Sequence, residues 1–123
     1  MSIPSEDELV ALLESDERSM SVVITNPAEP DNPMIYVSAA FELQTGYAPE
    51  EALGRNCRFL QGTDTDPKSI EAIRAGLLAR HAFSVDILNY RKSGEPFMNR
   101  LRIRPLFDDS GELLYFVGAQ NPI

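Results

Sequence analysis

Three carboxamides interrupt apolar faces in the last third of the chain. In Phe83-Ser84-Val85-Asp86-Ile87-Leu88-Asn89, strand alternation puts Asn89 on the face of Phe83, Val85 and Ile87. Asn99 shares a face with Leu101 and Ile103, and Gln120 shares one with Leu114, Phe116 and Gly118. An unpaired buried amide costs about 1–3 kcal/mol, so these groups need partners. A neighbouring side chain, the backbone or a trapped water satisfies any one of them. Three converging amides favour a ligand with alternating donors and acceptors, which suits the edge of a neutral heterocycle better than an ion.

Two arginines and a cysteine are the other departures. Arg74 stands inside the stripe Ile70, Ile73, Leu77, where an apolar residue is expected. Either its stem packs while its head reaches water, or its planar fork captures an anion at a pocket mouth, with Arg58 as a second fork. Cys57 lies in Asn56-Cys57-Arg58-Phe59-Leu60-Gln61, and a helix there makes Cys57 and Gln61 i, i+4 neighbours. A free buried cysteine is ordinarily a small hydrophobe. A hydrolytic nucleophile needs a base, and the single histidine, His81, falls at the end of a long helix with no motif around it. His81 reads as a solvated helix-end residue, which disfavours both a cysteine protease and a metal site.

The elements that must position these groups are legible from punctuation and period. Ser5 and Glu8 have capping-box spacing ahead of Leu9, Leu12 and Leu13, a short N-terminal helix. Ser21–Thr25 and Met34–Val37 read as strands of a hairpin joined by an Asn-, Pro- and Asp-rich loop. Short helical pieces from Phe41 to Thr45 and from Pro49 to Leu53 stop at Gly46 and Gly54. Asp66-Pro67 opens a longer helix running to about Arg80, with Ile70, Ile73, Leu77 and Leu78 on one face. Phe83–Tyr90, Phe97–Phe107 and Glu112–Gln120 form a meander turned at Arg91-Lys92-Ser93-Gly94-Glu95 and Asp108-Asp109-Ser110-Gly111. Strands at both ends with helices between them predict an α+β fold, one five-stranded antiparallel sheet covered by helices.

Composition bounds the function. A chain of 123 residues fits one domain whose core buries about two-thirds of the unfolded surface. Lys+Arg number 11 against Asp+Glu 19, a net charge of −8 that opposes binding to nucleic acid or to an anionic membrane surface. The N-terminus lacks the basic and apolar regions of a signal peptide, and no stretch approaches the roughly 18 apolar residues of a membrane span. A lone cysteine fits a reducing compartment, so a cytoplasmic location is expected.

Gly54-Arg55-Asn56-Cys57-Arg58-Phe59-Leu60-Gln61 resembles, position for position, the signature of LOV (light–oxygen–voltage) domains, flavin-binding blue-light sensors of the PAS superfamily. Asp31-Asn32-Pro33, Gly46-Tyr47, Leu88-Asn89-Tyr90, Lys92-Ser93-Gly94 and Gly118-Ala119-Gln120 fit the same pattern, over roughly residues 20–121. The resemblance implies a PAS sensor domain over 20–123 behind a helical cap at 1–19, as a short LOV protein or an isolated sensor. It implies a non-enzymatic photoreceptor binding FMN, in preference to FAD or riboflavin.

Residue by residue, the resemblance implies that Cys57 forms a reversible, light-induced bond to flavin C4a. Asn89 and Asn99 are implied at the pyrimidine edge of the ring, and Gln120 at O4 and N5. Asn56 and Gln61 are implied at the ring edge and ribityl chain, and Arg58 and Arg74 at the phosphate. Val23, Thr25, Leu60, Leu77, Leu101, Ile103 and Phe116 are the implied walls, with Gly118 among the flavin contacts. The switch is implied to be rotation of the Gln120 amide when N5 gains a proton.

With three residues after Gln120, output is expected through the N-terminal helix or the outer sheet face, where Tyr115, Val117 and Ala119 lie beside Arg100, Arg102 and Arg104. The acidic segment Ser5–Glu17 is expected to pack on that face, in the same chain or in a homodimer partner. The competing readings are a PAS interaction module with an empty pocket, a haem-binding PAS domain and a flavin redox protein. The redox reading lacks a glycine-rich nicotinamide fingerprint, and His81 is poorly placed as a haem ligand.

Overall fold

The computed structural model describes residues 4–123; Met1-Ser2-Ile3, the start of the expected N-terminal cap, lie outside the described residues. Five strands form one antiparallel sheet: β1 (Ser21–Thr25), β2 (Met34–Val37), β3 (Phe83–Tyr90), β4 (Pro96–Phe107) and β5 (Leu113–Gln120). Their spatial order is β2-β1-β5-β4-β3, so the first and last strands of the chain are neighbours, with Val23 opposite Gly118. The helices are α1 (Glu6–Val10), α2 (Ala39–Thr45), α3 (Pro49–Ala52) and α4 (Pro67–Ala79). The expected α+β class and five-stranded sheet are observed.

β1 is buried along its whole length, because both of its faces are covered. Val23 packs with Met34, Val37, Phe41, Ala52 and Leu60 on the inner face. Val22 and Ile24 pack on the outer face with Val117, Ala119, Leu9 and Leu13. The chain's own N-terminal segment therefore covers the outer face. Its capping box forms as expected, Ser5 Oγ accepting from Glu8 N–H and Ser5 N–H donating to Glu8 Oε1, both at 3.2 Å. The helix is only five residues long, however, and Leu12 faces solvent while Leu9 and Leu13 are buried. Beyond α1 the segment is held by Glu17, which is 6% exposed and accepts from Arg104 Nε at 2.9 Å and Arg104 Nη2 at 2.6 Å.

Local signals fix the helix ends. Ser38 caps α2, two residues earlier than the apolar pattern suggested, accepting from Phe41 N–H; its hydroxyl also accepts from Val22 N–H. α2 ends at Gly46 with φ +81°, a left-handed stop. Asp66 caps α4 by accepting from Lys68 N–H at 2.9 Å. α4 departs from expectation on its packed face: Leu78 is 78% exposed, while Gly76 is buried against the ring of Phe83. A ring laid on a bare glycine brings helix and sheet close, and that rotates Leu78 outward.

Candidate functional site

A cleft opens between the inner face of the sheet, α4 and a single 3₁₀ turn at Cys57–Leu60. It spans about 670 Å³ including its open mouth. The sheet contributes Val23 and Thr25 from β1, Asn89 from β3, Leu101 and Ile103 from β4, and Phe116, Gly118 and Gln120 from β5. Leu77 lines it from α4, and Asn56, Cys57, Arg58, Leu60 and Gln61 line it from the turn. At Gly118 an added Cβ would meet Val23 Cγ2 at 3.4 Å and Leu101 Cδ1 at 3.6 Å, so the bare backbone keeps that wall open.

Two sequence candidates lie outside this lining. Asn99 has no exposed surface and stands behind the wall, donating to Asn89 Oδ1 at 3.1 Å and to Gln120 Oε1 at 2.5 Å. Asn89 and Asn99 are diagonal neighbours rather than a facing pair: Asn89 opposes Phe97 and Asn99 opposes Ile87. Arg74 is exposed on α4, on the solvent side of the two lining residues Ile73 and Leu77.

The turn that carries Cys57 is tighter than the helix expected from spacing, so Gln61 is its extended C-terminal cap rather than a stacked i+4 neighbour. Asn56 begins it, accepting from Arg58 N–H at 2.9 Å and donating to the Asp31 carbonyl at 2.7 Å. Burial pushes the Cys57 thiol up to about 12, so it is a neutral S–H at physiological pH. Arg58 is engaged by Asp31 through Nη1 at 2.6 Å and Nη2 at 2.5 Å. His81 is exposed at the end of α4, and among the described residues no group of three His, Cys, Asp or Glu is placed to hold a metal ion.

Sequence reasoning missed Asn32, Ile73 and Ile87 as lining residues. Asn32 is the informative omission. It follows Asp31 in a loop where both residues have positive φ, +69° and +49°, a region asparagine and aspartate tolerate. Their place between Pro30 and Pro33 was the available signal. Asn32 Oδ1 and Thr25 Oγ1 are buried without a hydrogen-bond partner, and both residues line the cleft. Orphaned polar atoms, a carbonyl acceptor and a hydroxyl, beside an apolar wall are what a polar-edged ligand would satisfy.

The comparisons with known proteins fit this geometry. Residues 19–121 match the family model of the PAS domain. The structure superposes on a LOV domain from an Erythrobacter litoralis blue-light activated histidine kinase with a TM-score of 0.82 and 41% identity, covering 85% of this chain and 96% of that one. The chain belongs to the LOV domains of the PAS superfamily. The dark structure of the Aureochrome1 LOV photoreceptor is similar to this LOV domain at a TM-score of 0.85 and 37% identity, over 100% of this chain and 87% of that one. A blue-light-activated histidine kinase of Brucella anthropi is 54% identical over 101 residues, and blue-light-activated histidine kinase 1 of Erythrobacter litoralis 47% over 106 residues. Those matches cover 82% and 86% of the LOV domain but only 21% and 29% of the length of these curated relatives.

Proposed function

We propose that this LOV domain is a blue-light sensor that binds FMN non-covalently in the cleft and, under illumination, forms a reversible thioether between Cys57 Sγ and flavin carbon C4a. The observation that carries the reading is the placement of a neutral thiol in the wall of a cleft that also gathers Asn89, Gln120 and two orphaned polar atoms, Asn32 Oδ1 and Thr25 Oγ1. When bound, FMN would supply a blue-absorbing ring with a carbon, C4a, for the Cys57 sulfur and a nitrogen, N5, for the thiol proton. The apolar residues Leu60, Leu101, Ile103 and Phe116 sandwich the ring and exclude water. Asn89 and Gln120 hydrogen-bond its polar edge, and Asn99 holds both carboxamides from behind. Arg58 holds the phosphate at the mouth, with Arg74 reaching it from α4.

The carboxamide network supports a switch. Asn99 spends both amine hydrogens on Asn89 and Gln120, which turns the Gln120 oxygen toward Asn99 and leaves the Gln120 amine for the cleft. Were a proton gained at N5, that acceptor would become a donor. The Gln120 amide would then rotate to offer its oxygen, giving up its bond to Asn99. Val117 and Ala119, on the other face of the same strand, pack in one cluster with Leu9 and Leu13, so a shift of β5 is felt by the N-terminal segment. Light-dependent homodimerisation through this face requires that segment to yield it. The domain senses and does not catalyse, and its lone reduced cysteine fits the cytoplasm; no described helix is long and apolar enough to cross a membrane.

The test is an absorption spectrum before and after a blue flash. The chain should purify yellow, bleach in blue light and recover in darkness, and Cys57→Ser should keep the pigment and lose the reversible bleach. A colourless protein, or a Cys57→Ser variant with an unaltered photocycle, rejects the reading.

A further inference from the structure

Arg58 is the one cation lining the cleft among the described residues, and it is not free to meet an anion with its full charge. Asp31 takes one hydrogen each from Nη1 and Nη2, at 2.6 and 2.5 Å, leaving three of the guanidinium's five N–H groups for anything else. The backbone of Asp31 is fixed independently of that pair. Asn56 holds the Asp31 carbonyl at 2.7 Å, the backbone is left-handed at φ +69°, and the next residue, Asn32, is itself part of the cleft. The pair is roughly half-exposed on both sides, at 57% and 59%, so its field reaches an adjacent anion through solvent and is screened by salt.

We propose that Asp31 is a specificity-determining residue: by half-neutralising Arg58 at the cleft mouth it sets how strongly the site prefers a phosphorylated flavin to the same flavin without phosphate. The inference rests on the flavin-binding reading above. A phosphate seated on the remaining N–H groups of Arg58 meets an attractive guanidinium and, just across it, a repelling carboxylate. A neutral ribityl end meets neither at full strength. Asp31 therefore lowers discrimination, and its charge, not its backbone, is responsible. Asparagine at position 31 tests this cleanly, because it has the same shape and tolerates the left-handed backbone.

The experiment is competition in darkness. The flavin-loaded chain is equilibrated with equimolar FMN and riboflavin, and the bound ratio is read by chromatography. Asp31→Asn should raise the bound FMN-to-riboflavin ratio about threefold to tenfold at low ionic strength, from the coulombic cost of one charge near another in a mostly aqueous setting. The gain should shrink in about 0.5 M salt. Arg58→Gln should lower the ratio, and adding Asp31→Asn to Arg58→Gln should raise it again, because the carboxylate repels the phosphate with or without its partner. An unchanged or lower ratio in Asp31→Asn overturns the assignment while leaving flavin binding intact. A chain that takes up neither flavin overturns the assignment together with the reading beneath it.

Discussion

Asn99 Nδ2 donates to Gln120 Oε1 at 2.5 Å, and Asn99 Oδ1 accepts the backbone N–H of Asn121 at 2.9 Å. One side chain with no solvent exposure thus ties the cleft wall to the residue that follows the last strand. Asn99↔Pro122 is a further antiparallel bridge, and Arg100 N–H donates to the Asn121 carbonyl at 2.8 Å. Asn99 is therefore a structural hinge pin as well as a neighbour of the site.

Removing it should cost stability. Asn99→Ala strands Gln120 Oε1, Asn89 Oδ1 and Asn121 N–H in or near the interior, and each lost buried partner is worth about 1 kcal/mol or more. A loss of about 3 kcal/mol in urea unfolding is expected, with a conservative Asn99→Ser recovering part of it. A loss below about 1 kcal/mol would mean water already serves these groups.

The Cys57 thiol makes alkaline pH destabilising. Cys57 holds its proton up to about 12 in the fold, whereas an unfolded cysteine releases it near 8.5. Between those values the unfolded chain binds fewer protons, so folding stability falls as pH rises, by about 1.4 kcal/mol per unit at the limit. Below pH 8 this contribution is constant. Comparing denaturation of the wild type with Cys57→Ser from pH 8 to 10 isolates it; parallel curves would contradict the assignment. Iodoacetamide should also label folded Cys57 in darkness at least about tenfold more slowly than the unfolded chain at pH 8.

Glu17 gives the opposite pH dependence. Its hydrogen bonds to Arg104 hold the carboxyl below its ordinary range, against the opposing effect of burial. The stability this supplies is present above the unfolded carboxylate value near 4.3 and is lost as pH falls through the lower folded value. Glu17→Gln should destabilise the fold by about 1–3 kcal/mol at pH 7 and flatten its acid sensitivity below pH 4.5. Hydrogen exchange over residues 9–20 should quicken in the variant, and unchanged protection there would show that Leu9 and Leu13 hold the segment unaided.

Gly76→Ala sets helix propensity against packing. Alanine in a helix interior is favoured over glycine by about 1 kcal/mol. Here the added Cβ falls 2.4 Å from Phe83 Cδ1 and Cε1, and an aromatic ring on a strand yields little. Overpacking costs about 1–3 kcal/mol, so the melting temperature should fall, by about 4 °C for each net kcal/mol. Gly76→Ala combined with Phe83→Leu should regain part of the loss, and a rise in the single variant would mean that α4 shifts freely.

Much of this domain is written locally. Ser5 with Glu8, Ser38, Asp66-Pro67 and Gly46 mark helix ends by hydrogen-bonding chemistry that needs no distant partner, and alternation placed Asn89, Asn99 and Gln120 on one face of the sheet. Lone residue types were legible too: a single cysteine in Gly54–Gln61 and no basic excess narrowed the chemistry before any fold was known. Which carboxamide lines the cleft and which stands behind it was not legible, because alternation gives a side chain its face but not its depth. Asn99 is withdrawn by its bond to Asn121, a residue beyond the strand.

Tertiary structure alone decided the rest. Leu78 faces solvent because Phe83, from another element, seats on Gly76. Arg58 and Asp31 are 27 residues apart and carry no local signal of pairing. They meet because Met34 N–H donates to the Arg55 carbonyl at 2.8 Å and Gly54 N–H to the Met34 carbonyl at 2.9 Å, which ties the start of β2 and the loop before it to the turn that holds Cys57. Periodicity reports a residue's neighbours along its own element. The charge that faces it across the cleft is set by how those elements stack.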